Sequence, residues 1–333
     1  MKRRRFVQSL AAVSAGLPFT PALAGRRSRP FHRGSFAIDD IQVRFFIPEH
    51  GKSVKVLVIA DTHLFLDAPR GEPYQTYSGR MAKAYNQTQH FKTGKPTNPQ
   101  ESFSNALQRA KHSNVDLIAL VGDIFSFPSE AAIEWVQAQL AASGIPYLYV
   151  AGNHDWHYEG LPGSLESLRD TWIRKRLLPL YQGKDPMMAA YDIGGVRFLT
   201  FDNSHYEIQP AQLTFLRNQI RIGRPMVLMV HIPFYAQGRP LGFGCGHPDW
   251  NAKNDRNSEL ERRPRWAASG HTPTTNAFHR EVFSAPNLLG IFAGHTHRAS
   301  TDLVNGLPQF VTDANATGAY MEAEFLFSGR QPG

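Results

Sequence analysis

Six short apolar runs set most of what this chain can become: Val54 to Ala60, Val115 to Val121, Tyr147 to Val150, Val196 to Phe201, Met226 to Val230 and Leu288 to Phe292. They lack strict alternation and are rich in β-branched or aromatic side chains, which predicts strands buried on both faces. Between them, Pro99 to His112, Ser129 to Ala142, Ser164 to Arg176 and Pro210 to Arg221 carry apolar residues at three- and four-residue spacing, the period of a helix. Strand and helix alternate, as in a layered α/β sandwich, and the short strands expected from Ala299 to Phe327 predict a second sheet packed on the first. With 333 residues, 42% of them hydrophobic, the chain is long enough to bury a full core.

Five of the runs end in metal-binding side chains. Asp61-Thr62-His63 follows the first, Gly122-Asp123 the second, and Gly152-Asn153-His154-Asp155 the third; His231 follows the Met226 run and Gly294-His295-Thr296-His297 the Leu288 run. Singly, each reads as a cap, a turn or a buried histidine. In open α/β sheets, however, ligands gather at the carboxyl ends of strands, so clusters far apart in sequence can converge on one point. The His-x-His pair directs both rings to one face if the chain stays extended. Imidazole and carboxylate suit zinc, iron or manganese, and a carboxylate can bridge two ions. A lone cysteine, Cys245, excludes a Cys-rich zinc site and an internal disulfide, and Cys245-Gly246-His247 offers too few ligands for a third metal. Two ions about 3.5–4 Å apart activate water and stabilise both oxygens of a phosphoryl displacement, so the chemistry expected is metal-assisted hydrolysis. There is no H-E-x-x-H, no G-x-S-x-G and no P-loop in the chain.

The ordered set D-x-H, G-D, G-N-H-D, H and G-H-x-H, over residues 61–297, resembles the calcineurin-like metallophosphoesterases, which include purple acid phosphatases and several phosphodiesterases. The resemblance implies a four-layer α/β/β/α sandwich, two mixed sheets flanked by helices, with a dinuclear site of iron, manganese or zinc. Carried over by position, the first ion takes Asp61, His63 and His297, the second Asn153, His231 and His295, and Asp123 bridges both. By the same resemblance, a water activated by the ions would attack the ester, and His154 would face the scissile group and protonate the leaving oxygen or stabilise the transition state, with Asp155 helping to orient it. One departure is that Ile124-Phe125-Ser126 stands where the family often has a further Asp or Asn, which places the support that residue gives in doubt.

Two long segments, 66–98 and 235–285, lack strong periodicity and are expected to be walls or lids over a substrate pocket. Arg80, Tyr85, His247 and Arg265 within them are candidate substrate contacts, as are His205 and Arg298 beside the motifs. Arg298 is suited to grip a phosphate oxygen.

The formal charge of +8 is carried by residues 1–33, where Lys2, Arg3, Arg4, Arg5, Arg26, Arg27, Arg29 and Arg33 stand with no acid; 28 basic and 28 acidic residues remain beyond them. A neutral folded part argues against a nucleic-acid surface. Arg3-Arg4-Arg5-Phe6 resembles the twin-arginine export motif, and the apolar run to Leu17 and Ala22-Leu23-Ala24 complete a signal-peptide pattern over residues 1–24. The expectation is a bacterial periplasmic or secreted protein, exported folded by the twin-arginine machinery, with residues 25–333 as one domain. No stretch of eighteen apolar residues predicts a transmembrane helix. The leading expectation is thus an exported phosphoesterase. A phosphodiesterase acting on nucleotides, glycerophosphodiesters or lipid head groups is the alternative, and a non-catalytic module that keeps fold and metals is the alternative of another class.

Overall fold

The computed structural model describes residues 34–84, 88–236 and 271–329. The expected signal segment, Tyr85, Cys245, His247 and Arg265 lie outside the described residues. The first half of the chain runs through β1 (Ser35–Asp39), β2 (Gln42–Ile47), β3 (Val54–Ile59), α1 (Gln75–Ala84), the short ribbon β4 (Thr88–Gln89) and β5 (Pro96–Thr97), α2 (Pro99–His112), β6 (Leu117–Val121), α3 (Glu130–Ser143) and β7 (Tyr147–Val150). The second runs through α4 (Leu165–Trp172), β8 (Met188–Ile193), β9 (Val196–Phe201), α5 (Pro210–Ile222), β10 (Met226–Met229), α6 (Pro273–Ser284), β11 (Leu288–Ala293), β12 (Ser300–Val304), β13 (Leu307–Val311) and β14 (Met321–Phe327).

Two six-stranded mixed sheets form, in the orders β1-β2-β14-β3-β6-β7 and β12-β13-β11-β10-β9-β8. Each contains a run of three parallel strands, β3-β6-β7 at one end of the first and β11-β10-β9 in the middle of the second. Three apolar layers hold them. Leu57, Ile118 and Leu120 pack against Phe103, Ile133 and Val136 of α2 and α3; Val58, Val150, Val227, Phe292 and Phe325 fill the space between the sheets; Leu228 and Ile291 pack against Leu216 of α5 and Phe278 and Val282 of α6. The result is the helix–sheet–sheet–helix order expected.

The helices start where the sequence supplies caps. Asn98, Ser129, Ser164 and Thr272 each accept a hydrogen bond from the backbone N–H three residues on, and prolines open α2, α5 and α6. The predicted 164–176 helix is shorter: α4 ends at Trp172 and continues as a wider π turn, Ile173–Leu177. The late strands also differ from expectation, because only β12 and β13 extend the second sheet. The last, β14, enters the first sheet between β2 and β3, where its alternating Met321, Ala323 and Phe325 face the core. The segments read as aperiodic contain α1 and α6. No described helix is long and apolar enough to cross a membrane.

Candidate metal centre

The parallel strands end in register, and their carboxyl ends deliver the donors. Asp61 and His63 follow β3, Asp123 follows β6, Asn153 follows β7, His231 follows β10, and His295 and His297 follow β11. The loops are laced together by backbone hydrogen bonds: Asp61 N–H to Gly122 O (3.0 Å), His63 N–H to Asp123 O (2.9 Å), Leu64 N–H to Ile124 O (2.8 Å) and Gly294 N–H to His231 O (3.0 Å).

Five of the seven donors sit on left-handed backbone: Asp61 (φ 55°), His63 (φ 51°), Asp123 (φ 50°), His295 (φ 71°) and His297 (φ 53°). For residues with a Cβ this conformation costs about 1–2 kcal/mol each, and such strain clusters where surrounding contacts over-determine a functional geometry. Two motif glycines explain part of that geometry. A Cβ on Gly152 would lie 2.1 Å from Asp123 Oδ1, and one on Gly294 would lie 2.4 Å from Asp61 Oδ2. Each carboxylate therefore occupies the space where a side chain of the neighbouring loop would be.

The donor atoms fall into two groups that share one residue. Those of Asp61, His63, Asp123 and His297 lie within 4.8 Å of one another, and so do those of Asp123, His231 and His295. His63 Nε2 and His297 Nε2 are 2.9 Å apart, and His297 Nε2 is 3.2 Å from Asp61 Oδ1. His231 holds its Nδ1 3.0 Å from the Val121 carbonyl, which fixes the Nδ1–H tautomer and turns Nε2 towards Asp123 Oδ2, 3.1 Å away. Asn153 Oδ1 is buried with no hydrogen-bond partner among the described residues, a cost that a cation would remove. Donor chemistry, spacing and this orphaned oxygen all fit a pair of metal ions.

The electrostatics agree. Burial alone would raise the Asp123 carboxyl, but His231, His154 and His63 around it hold it well below the usual carboxylate range. Burial works against a proton on His231, yet Asp123 pushes its pKa up to about 10; on His63, burial and His297 press it well below the ordinary value.

The sequence pattern of the calcineurin-like phosphoesterases matches residues 54–299. The chain belongs to that family. A probable cyclic nucleotide phosphodiesterase of Moraxella catarrhalis (strain BBH18) is 46% identical over 59 residues, 18% of this chain and 21% of that protein, so the match spans about a fifth of the relative's length. A dimetal phosphatase from Danio rerio has a similar structure, with a TM-score of 0.52, 13% identity and coverage of 82% of this chain and 93% of that one. A purple acid phosphatase, PPD1, from yellow lupin (Lupinus luteus) seeds gives a TM-score of 0.45 at 14% identity, over 83% of this chain and 47% of that one.

In this calcineurin-like phosphoesterase His154 sits at the donors' edge. Its backbone N–H donates to Asp123 Oδ1 (2.8 Å), and its ring lies 5.1 Å from that of His63. Burial, partly offset by Asp123, lowers its pKa. The carboxylate of Asp155, expected to orient His154, accepts from the backbone N–H of Phe125 (2.8 Å) and of Gly152 (2.7 Å), which ties two donor loops together. Burial and nearby Asp123 push its pKa up to about 7. In the departing stretch Ile124-Phe125-Ser126, Ser126 Oγ donates to the His63 carbonyl (2.9 Å).

The outer candidates fare differently. Arg298 is exposed directly after His297. His205 is buried near Gln209, their Nε2 atoms 3.4 Å apart, on a loop whose next residue, Tyr206, stacks edge-on with His295 at 6.1 Å. Arg80 falls on α1, and its side chain lies outside the described residues. Sequence reasoning missed Asn203 and Asn315, both fully buried. The signal for Asn203 was present: it follows an apolar strand as the donors do, but without a histidine to mark it.

Proposed function

We propose that this chain hydrolyses phosphate esters with two metal ions held by Asp61, His63 and His297 on one side, Asn153, His231 and His295 on the other, and Asp123 between them. The observation that carries this reading is the pair of donor groups sharing Asp123. When bound, divalent or trivalent iron, manganese or zinc ions lower the pKa of water and neutralise charge on a phosphoryl group during its displacement. The protein's own part is positional. The lacing of the five loops fixes the donors before substrate arrives, and Asp155 keeps the Asp123 and Asn153 loops at constant separation. His154, held at the edge of the centre by its backbone bond to Asp123, gives a proton to the leaving oxygen. Arg298, exposed directly after His297, is our candidate to meet a non-reacting phosphate oxygen.

A diester substrate is the second reading. The match to a probable cyclic nucleotide phosphodiesterase supports it, although that match covers 18% of the chain. The N-terminal arginine pattern supports export through the twin-arginine machinery to the periplasm or beyond, with residues 1–24 removed and 25–333 acting as one domain.

Elemental analysis, paired with p-nitrophenyl phosphate and bis-p-nitrophenyl phosphate as substrates, tests the reading on protein lacking residues 1–24. About two ions per chain and metal-dependent turnover of at least one ester are expected. Protein without metal and without hydrolysis over a broad ester panel would instead mark a non-catalytic module.

A further inference from the structure

The loop after β9 ends in no metal donor, yet it touches three loops that do. Asn203 pairs its side-chain amide with the peptide next to His231: Oδ1 accepts from Ile232 N–H (3.0 Å) and Nδ2 donates to Ile232 O (2.7 Å). Ser204 Oγ accepts from Trp156 Nε1 (2.8 Å), in the loop of Asn153, and donates to Asp202 Oδ1 (2.5 Å). Asp202 is in turn anchored by buried Arg169, whose Nε lies 2.7 Å from Oδ2. Tyr206 packs edge-on against His295. Thus Asn153, His231 and His295 are all braced from one short segment, 202–206.

The opposite half has its own brace. Asn315 N–H donates to Ala60 O (2.9 Å) and Ala316 N–H to Asp61 O (3.0 Å). Thr62 Oγ1 donates to Asn315 Oδ1 (3.0 Å), while Asn315 Nδ2 donates to Ala319 O (2.8 Å). These bonds enclose the turn that carries Asp61 and His63, both left-handed. Asn203, Asn315 and Thr62 are fully buried, so no water can replace a lost partner without a rearrangement.

We infer that Asn203 and Asn315 are positioning residues, each governing one half of the centre: Asn315 the ion of Asp61, His63 and His297, and Asn203 the ion of Asn153, His231 and His295. The inference rests on the two-ion reading above. Partners that orient metal ligands typically change affinity by about 10–100-fold when removed. Here the loss should be confined to one ion, because the two braces share no residue and reach different donor loops.

The test is calorimetric titration of Mn2+ into the chelator-stripped full chain. Wild type should take up two equivalents. Asn203→Ala and Asn315→Ala should each retain one equivalent near wild-type affinity and bind the other about 10–100-fold more weakly. Ligand deletions identify the half that fails. Asn203→Ala added to His295→Ala should leave the remaining equivalent unchanged, whereas added to His297→Ala it should weaken that equivalent. Asn315→Ala should show the converse pattern. Softer variants guard against a chain that fails to fold. Asn203→Asp keeps the acceptor for Ile232 N–H but not the donor for its carbonyl; Thr62→Val removes the hydroxyl, and Thr62→Ser restores it and should rescue. Two equivalents weakened together, or neither weakened, in variants of a wild type that binds two overturns this inference alone. A wild type that binds none overturns the two-ion reading and this inference with it.

Discussion

His63 and His297 come from different sheets, 234 residues apart in sequence, and meet with their Nε2 atoms 2.9 Å apart. Two ring nitrogens this close would serve one ion. Asp61 Oδ1, 3.2 Å from His297 Nε2 and 4.0 Å from His63 Nε2, would be a third donor to it. The arrangement makes the centre a cross-link between the two sheets.

Asp123→Asn should therefore affect both ions, since Asp123 alone belongs to both donor groups. Elemental analysis should find both equivalents reduced, and kcat/KM should fall at least 100-fold. Unchanged metal content and turnover would refute the bridging role.

Gly294→Ala should displace the Asp61 carboxylate, because the added methyl would lie 2.4 Å from its Oδ2. A loss of about 1–3 kcal/mol in a urea melt of metal-free protein is expected from overpacking, together with weaker metal uptake. Gly79, in α1, provides the contrast: nothing lies within 4 Å of a Cβ there, and Gly79→Ala should stabilise by about 0.5–1 kcal/mol.

His154→Ala should keep both ions, as His154 belongs to neither donor group. Alkyl phosphates, whose leaving oxygens need a proton, should slow by about 100–10,000-fold, and p-nitrophenyl phosphate much less. Equal slowing of the two substrates would exclude proton donation.

Two buried histidines outside the centre give the metal-free fold an acid-labile contribution, opposite in sign to that of Asp155 and His231 within it. Burial lowers the pKa of His279, which bonds the Tyr235 carbonyl (2.9 Å), and of His205. A lowered folded pKa means that the unfolded chain takes up the proton first. The stabilisation is complete above the unfolded value of about 6.5 and is lost as pH falls from there towards the folded pKa. Between pH 7.5 and 5.5 the thermal midpoint of His279→Gln should fall less, or rise more, than that of the wild-type protein. Identical pH profiles for the two proteins would remove His279 from this role.

Much of this architecture was legible in the sequence for a physical reason. A strand buried on both faces must be apolar throughout, so β3, β6, β7, β9, β10 and β11 stand out as runs, and the donors announce themselves at the ends. What was not legible depended on partners. β1, β2 and β8 lie at or next to sheet edges, alternate or are partly exposed, and carry weaker patterns. Helix α6 has the right period at Phe278 and Val282, but its Thr272 cap follows a Gly-, Pro- and Arg-rich stretch that hides its start. Asp155 and Ser126 were hardest to read, because a side chain that bonds to the backbone of another loop leaves no spacing rule behind.

The place of β14 bears on how the molecule is made. It is the last strand of the described chain, parallel to β2 and antiparallel to β3, and it separates the two. A ribosome must therefore have made every element from β1 to β13 before the first sheet can close. Until then β3, which delivers Asp61 and His63, has one open edge. Assembly of this sheet is thus committed late, by contacts between strands more than 250 residues apart, a slow step that leaves a window for chaperones and for aggregation.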